Sequence, residues 1–220
     1  MTKPYSERYR MKYVKFGTYT GADNMRIDSE LLDEAIQNQT KEPVFRLYAW
    51  SPKCISLGRN QKDDFITDKD VELVRRLTGG RALLHDDEIT YSYVVPVIEG
   101  ESVVESYKHI SGILINFFKT LGVVLDFGEN KKVSTHFDYC MLLSTGADVC
   151  YKGQKIIGSA QYRKQGYILQ HGSILFGYDK EFLEHLFKEE VKGITTVKEI
   201  LPDMTKEKFV SLLEDFIQKL

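Results

Sequence analysis

No apolar run in this chain is long enough to cross a bilayer: stretches such as ILINFF at 113–118 fall well short of the roughly 20 residues a spanning helix needs. Cysteine is scarce too. Cys54, Cys140 and Cys150 make an odd count without framework spacing, which excludes a disulfide scaffold and suits free thiols in a reducing compartment. Net charge is almost lacking, and a formal −2 gives no electrostatic reason to expect nucleic acid or an anionic membrane as partner. Linker-like Pro/Gly/Ser stretches, low-complexity tracts and fixed-period repeats are missing. So is a dinucleotide fingerprint on repeated βα units, which argues against a Rossmann domain. The start, MTKPYSERYRMKYVKF, is charged and aromatic without the apolar centre of a secretory signal. These absences predict a cytoplasmic protein, folded as one domain over 1–220.

What is present is an ordinary globular composition, 42% hydrophobic and 28% charged, in a chain long enough to bury a core unaided. Residues 11–19 read as a strand. Thr20-Gly-Ala-Asp23 has capping-box form and precedes an apolar-periodic stretch through Leu32 and Ile36, hence a helix. PVFRLYAW (43–50) and CISLGRNQ (54–61) read as strands, and VELVRR (71–76) as extended. RALLH and ITYSYVVPV are expected to pair as a hairpin around Asp86-Asp87-Glu88. A long helix is predicted from about Val103 to Leu121, then strands around 137–151, 155–162 and 167–176. Lys152-Gly153 and Lys164-Gln165-Gly166 are their turns. Helices near 180–188 and 205–219 close the chain. Strands in the middle and helices at the flanks give an α+β fold with a mixed, mostly antiparallel sheet.

Three features could carry chemistry. In RRLTGGRALLH, Arg75 to His85, adjacent glycines admit close backbone approach and arginines offer forked donors to carboxylate or phosphate. On its own, the stretch reads better as a glycine turn between solvated arginines, since a lone Gly-Gly is common. In KIIGSAQYRKQGYILQHGSILF, Lys155 to Phe176, the small residues Gly158, Ser159 and Ala160 permit tight packing or a narrow apolar tunnel. Lys155 opens that run and His171-Gly172 stands at the matching end of the next strand. Alone, this is a plain hairpin with an exposed lysine and a hydrogen-bonded histidine. Of the cysteines, Cys54 and Cys150 lie in apolar strands and read as small buried hydrophobes. Cys140 follows Phe137-Asp138-Tyr139 in a less regular stretch.

Together and in this order, these stretches resemble the lipoate–protein ligase and octanoyltransferase family, which shares its catalytic fold with biotin ligases. The resemblance runs from Gly21-Ala-Asp-Asn24-Met25 through Arg46-Leu-Tyr-Ala-Trp50 and Ser56-Leu-Gly-Arg-Asn-Gln61 to GITTVKEIL, and peaks in the two long motifs. Within the family, TGGRALLH and SAQ…LQHGSIL look most like the single-domain octanoyltransferases that take octanoyl from acyl carrier protein. In that group an acyl-thioester cysteine lies fifteen residues before the motif lysine; here that residue is Cys140, before Lys155. The intervening MLLSTGADV departs from the group's Pro-Ser and acidic-aromatic pattern, with Asp148 where a glutamate is usual.

The resemblance implies a catalytic pair of Cys140 and Lys155, with no cofactor and no metal. It implies an acyl site built from Arg76, Thr78, Gly79, Gly80 and His85, from Gly158, Ser159 and Ala160, and from His171 and Gly172. The histidines would line that site without carrying protons, and Arg75, Arg81, Lys131 and Lys132 could guide an acidic carrier. A thioester donor needs no ATP, since acyl exchange onto Cys140 followed by amide formation on a lysine is covalent catalysis in two easier steps. The implied partners are octanoyl-acyl carrier protein and a lipoyl-domain acceptor, either the glycine-cleavage carrier or a 2-oxoacid dehydrogenase subunit. Relatives of this size are often monomers. The rival readings are an ATP-dependent lipoate–protein ligase using Lys155 on an acyl-adenylate, an enzyme shifting acyl groups between lipoyl-bearing proteins, and a non-catalytic lipoyl-domain or acyl-carrier binding module.

Overall fold

The computed structural model describes residues 10–63, 66, 71–128, 148–188 and 190–220. A first strand, β1 (Lys12–Tyr19), leads into helix α1 (Gly21–Gln37), whose N-cap Thr20 accepts the Asp23 amide at 3.2 Å. Strands β2 (Val44–Trp50) and β3 (Cys54–Leu57) follow, then β4 (Glu72–Arg75), β5 (Leu83–His85) and β6 (Glu88–Pro96). Helix α2 (Val103–Thr120) starts at a capping box of Ser102 and Glu105. The remaining elements are β7 (Asp126–Phe127), β8 (Val149–Tyr151), β9 (Gln154–Lys164), β10 (Tyr167–Leu175), α3 (Lys180–Phe187), α4 (Val197–Ile200) and α5 (Lys206–Ile217). The short α4, capped by Thr196 with Glu199, was not foreseen from the sequence.

Two sheets form. The larger has the order β1-β2-β6-β10-β9-β8-β7 and the smaller β4-β3-β5. Each has one parallel pair, β1 with β2 and β3 with β4; the other pairings are antiparallel. This is the α+β, mostly antiparallel architecture expected.

The hairpin predicted between RALLH and ITYSYVVPV does not form. β5 pairs with β3 in the small sheet, whereas β6 sits between β2 and β10 in the large one. The polar Asp86-Asp87 step is therefore a crossing between sheets. The Asp87 carbonyl accepts the Phe176 and Gly177 amides, and its carboxylate binds Lys198 at 2.6 Å and Lys206 at 3.2 Å. Those ties to the end of β10, to α4 and to α5 hold it as a corner. β3 also stops earlier than expected. A Cβ on Gly58 would lie 1.9 Å from the Gly80 carbonyl oxygen, so the chain turns away there and only glycine fits.

Strand alternation gives the large sheet two unlike faces. Phe45 and Leu47 of β2, Ile89, Tyr91 and Tyr93 of β6, and Ile168 and Ile174 of β10 join the main core with α2 and α5. The opposite face carries Arg46 and Tyr48, Glu88, Thr90 and Ser92, and His171 and Ser173, all buried. Helix α1 covers that face. Its Leu32 and Ala35 pack on Val44, Val94 and Leu169, and burying a leucine there contributes ~2 kcal/mol. One turn earlier on the same stripe, Asp28 and Asn24 meet the polar residues.

Candidate active site

Between α1, the small sheet and the polar face lies a cavity enclosing about 530 Å³ of empty space, part of it open to solvent. The turn after β4 forms one wall with Arg76, Gly79 and Gly80. Gly158, Ser159 and Ala160 of β9, with His171 and Gly172 of β10, form another, and His85 closes a third side beside Trp50. Nine of the twelve residues expected in the site thus line one cavity. Thr78 stands just behind it, its Oγ1 2.7 Å from Nε2 of His171.

Arg76 organises the turn. Its Nε donates to Thr78 Oγ1 at 3.3 Å, and its Nη1 to the Ser56 carbonyl at 2.6 Å and to Ser56 Oγ at 2.8 Å. Nη2 donates to the carbonyls of Gly79 at 3.1 Å and Arg81 at 2.9 Å. All five guanidinium hydrogens are accounted for. The fork that the sequence offered to an anionic ligand is therefore spent on the chain itself, where it shapes the Gly79-Gly80 turn. Gly80 takes φ +96°, and neither glycine amide has a hydrogen-bond partner among the described residues. Arg75 is tied down as well, with Nη1 on the carbonyls of Gly58 at 2.9 Å and Gln61 at 2.6 Å.

Two carboxylate–histidine–hydroxyl relays converge on Arg76. In one, Asp28 faces His171 Nδ1 at 3.3 Å, and His171 reaches Thr78. In the other, Glu88 faces His85 Nδ1 at 2.5 Å, and His85 Nε2 lies 2.6 Å from Ser56 Oγ. Thr78 and Ser56 are fully buried and each accepts from Arg76, so each must donate its own hydrogen, and the histidine Nε2 is the acceptor within reach. Both rings are thereby assigned as neutral, with hydrogen on Nδ1. Burial lowers the His171 pKa, in keeping with a neutral ring. Burial would raise the Asp28 carboxyl, but the hydrogen bond from His171, the Arg46 guanidinium at 2.8 Å and the Ser92 hydroxyl hold it below the usual range. Glu88 is likewise pulled down against burial by His85, with donors from Thr90 and Ser173. Trp50 stacks on His85 with centroids 3.7 Å apart and donates to Thr90 at 2.7 Å. Both histidines are part of the cavity wall, each ring tied at both nitrogens.

Lys155 is not the exposed lysine of a plain hairpin. It is 1% exposed, forms a salt bridge to Asp148 at 3.1 Å, and its backbone pairs with Gly193 and Thr195. It lies on β9 three residues before Gly158 and is not among the described residues that line the cavity. Cys140, Lys131 and Lys132 lie outside the described residues. Cys54 and Cys150 are buried, and burial with the Glu72 and Glu88 carboxylates pushes the Cys54 thiol well up, away from reactivity. The sequence reading missed Asp28, Glu88 and Ser56. A signal existed: Asn24, Asp28, Leu32 and Ala35 share one helical stripe, and a carboxylate on a buried stripe demands a partner.

The family model described as the lipoyl protein ligase A/B catalytic domain matches residues 20–218, and the chain belongs to that family. Within it, the octanoyltransferase LipM of Carboxydothermus hydrogenoformans is 40% identical over 187 residues, covering 80% of this chain and 69% of its own. The octanoyltransferase LipM of Macrococcus caseolyticus is 37% identical over 217 residues, covering 87% and 78%. Lipoate-protein ligase A, solved bound with ATP, superposes with a TM-score of 0.74 at 20% identity, covering 96% of this chain and 85% of that one. A bipartite lipoate protein ligase from Thermoplasma acidophilum gives 0.70 at 18% identity, covering 96% and 84%. At those identities the likeness is one of fold. No helix among the described residues is long and apolar enough to cross a membrane.

Proposed function

We propose that this chain is an acyltransferase of protein lipoylation that moves octanoyl from an acyl carrier protein to a lysine of a lipoyl domain, in the cytoplasm and without ATP. The observation that carries the reading is the cavity. Its walls are a glycine turn and a strand pair of small residues, and its two histidines are tied by hydrogen bonds at both ring nitrogens, so it suits an acyl chain whose chemistry is supplied from beside it. The similarity to octanoyltransferases over most of the chain supports the same reading.

Cys140 is the nucleophile. Its thiolate, favoured by the Lys155 ammonium, attacks the octanoyl thioester carbonyl. The tetrahedral oxyanion collapses, the C–S bond to the carrier breaks, and Lys155 gives its proton to the departing carrier thiolate. The neutral Lys155 then takes a proton from the acceptor lysine amine as that amine attacks the acyl-enzyme, forming the amide and releasing the Cys140 thiolate. Atoms balance: thioester plus amine gives amide plus thiol. The Gly79 and Gly80 amides, in the cavity wall and without a partner among the described residues, serve the oxyanion. Asp148 keeps Lys155 in place between the two steps.

The test supplies purified protein with octanoyl carrier protein and a lipoyl domain, with and without ATP. Octanoylation of the lipoyl domain without ATP is expected. Modification that needs free octanoate and ATP would turn the assignment to a ligase.

A further inference from the structure

Asp28 sits on α1, across the polar face from the Gly79-Gly80 turn. Its carboxylate takes four donors. Oδ1 accepts from Arg46 Nη1 and Ser92 Oγ, and Oδ2 from Tyr48 OH, each at 2.8 Å, with His171 Nδ1 at 3.3 Å on Oδ2. Arg46 is held in turn by Asn24 Oδ1 at 2.7 Å. We propose that Asp28 is a positioning residue for the acyl site: it fixes His171 as the Nδ1–H tautomer, and through Thr78 it sets Arg76 and the Gly79-Gly80 turn that Arg76 clamps.

The direction of each hydrogen bond makes this chain one-way. His171 spends its hydrogen on Asp28, so its Nε2 must accept from Thr78, and the Thr78 oxygen is left to accept from Arg76 Nε. Reversing the first link reverses the second. Asp28→Asn would do so without changing size. The carboxamide must point its NH₂ at one of two pairs of donors. Arg46 can only donate, whereas Tyr48 and His171 can switch to accepting, so the NH₂ faces His171. The ring then carries its hydrogen on Nε2 and donates to Thr78 Oγ1, so the buried Thr78 hydroxyl hydrogen loses its acceptor and the Thr78–Arg76 contact must readjust. The Glu88 relay through His85 and Ser56 reaches Arg76 from its other end and is untouched.

Nitrogen-15 NMR of the histidine rings in the full chain reads the tautomer directly, and amide spectra read Gly79 and Gly80. In the wild type His171 is expected as the neutral Nδ1–H form. In Asp28→Asn it moves to Nε2–H, the Gly79 and Gly80 amides shift, and kcat for octanoyl transfer drops about tenfold or more at unchanged KM, by analogy with the outer partners that orient metal-bound histidines. Thr78→Val, which cuts the relay one link on, should shift the same amides if Asp28→Asn folds poorly. An unchanged His171 tautomer in Asp28→Asn, or a tautomer change that leaves amides and kcat alone, overturns the proposal. The kcat arm rests on the acyl-transfer reading and the NMR arms do not. A wild type inactive toward octanoyl carrier protein whose tautomer and amides still respond would fail that reading and leave the positioning role standing.

Discussion

The large sheet buries both faces, and with opposite chemistry. On one, Phe45, Tyr91 and Ile174 meet Leu114, Phe117 and Phe209 of the helices, and any side chain of similar volume and apolarity would serve. On the other, Arg46, Asp28, Glu88 and His171 are just as hidden, and each satisfies its neighbours by a hydrogen bond of fixed direction. Burying such groups offers little net stability over an apolar core, because desolvation offsets their attraction. What the polar face gains is orientation: a cavity wall whose groups have one arrangement. The first face folds the protein and the second aims it.

The comparison can be broken by exchanging the two behaviours. Leu114→Ala on the apolar face should cost about 2–5 kcal/mol of stability through the cavity it leaves. In the protein that remains folded, kcat should hold. Arg46→Met on the polar face should cost a similar ~3–5 kcal/mol, because Asp28 loses its charged partner. Here kcat should fall as well. Chemical denaturation with single-temperature kinetics separates the two, and equal kcat losses would erase the distinction.

Gly58→Ala sharpens it at the turn. The added methyl would press on the Gly80 carbonyl at 1.9 Å, so the turn must move, and transfer should fall about a hundredfold, the cost of displacing a site by an ångström. Wild-type turnover in that variant would detach the Gly79-Gly80 turn from catalysis.

The response to acid should expose the polar face alone. His171, Asp28 and Glu88 all have lowered pKa values in the fold, so the unfolded chain binds more protons on acidification. Stability should be full above the ordinary histidine value of 6.5, and decline below it as unfolded His171 protonates. It should fall further below 4.5, as Glu88 and then Asp28 of the unfolded chain protonate while the folded carboxylates stay charged. Tm measured across this range checks the sign; a Tm that rises below 6.5 would mean His171 is bound as the imidazolium. The smallest effect belongs to Cys150→Ala, a buried filler on β8: a loss of ~1 kcal/mol and unaltered transfer, read by denaturation and initial rates.

The same contrast explains what the sequence disclosed. The Thr20 cap and the apolar period of α1 and α2 act over one or a few turns, so both helices were legible, and so were the strands whose alternation is local. The TGG turn and the Gly158–Ala160 strand were legible as a motif pair. The relays were not, because Thr78 and His171 are 93 positions apart and Asp28 and His171 are 143. Glu88, Thr90 and Ser92 alternate with Ile89, Tyr91 and Tyr93 as a solvent-facing edge would, yet all are buried. The polar Asp86-Asp87-Glu88 run likewise suggested a hairpin turn where the chain crosses between sheets. Lys155 read as exposed for the same reason: Asp148 and the Gly193–Thr195 segment that cover it are set by tertiary packing.

The most direct test of the proposed acyl transfer is intact mass of the protein after incubation with octanoyl carrier protein without ATP, followed by peptide mapping. The account predicts one octanoyl adduct, on Cys140, released by hydroxylamine and missing in Cys140→Ser. An adduct on Cys54 or Cys150, or transfer to the lipoyl domain at the wild-type rate by Cys140→Ser, would contradict it.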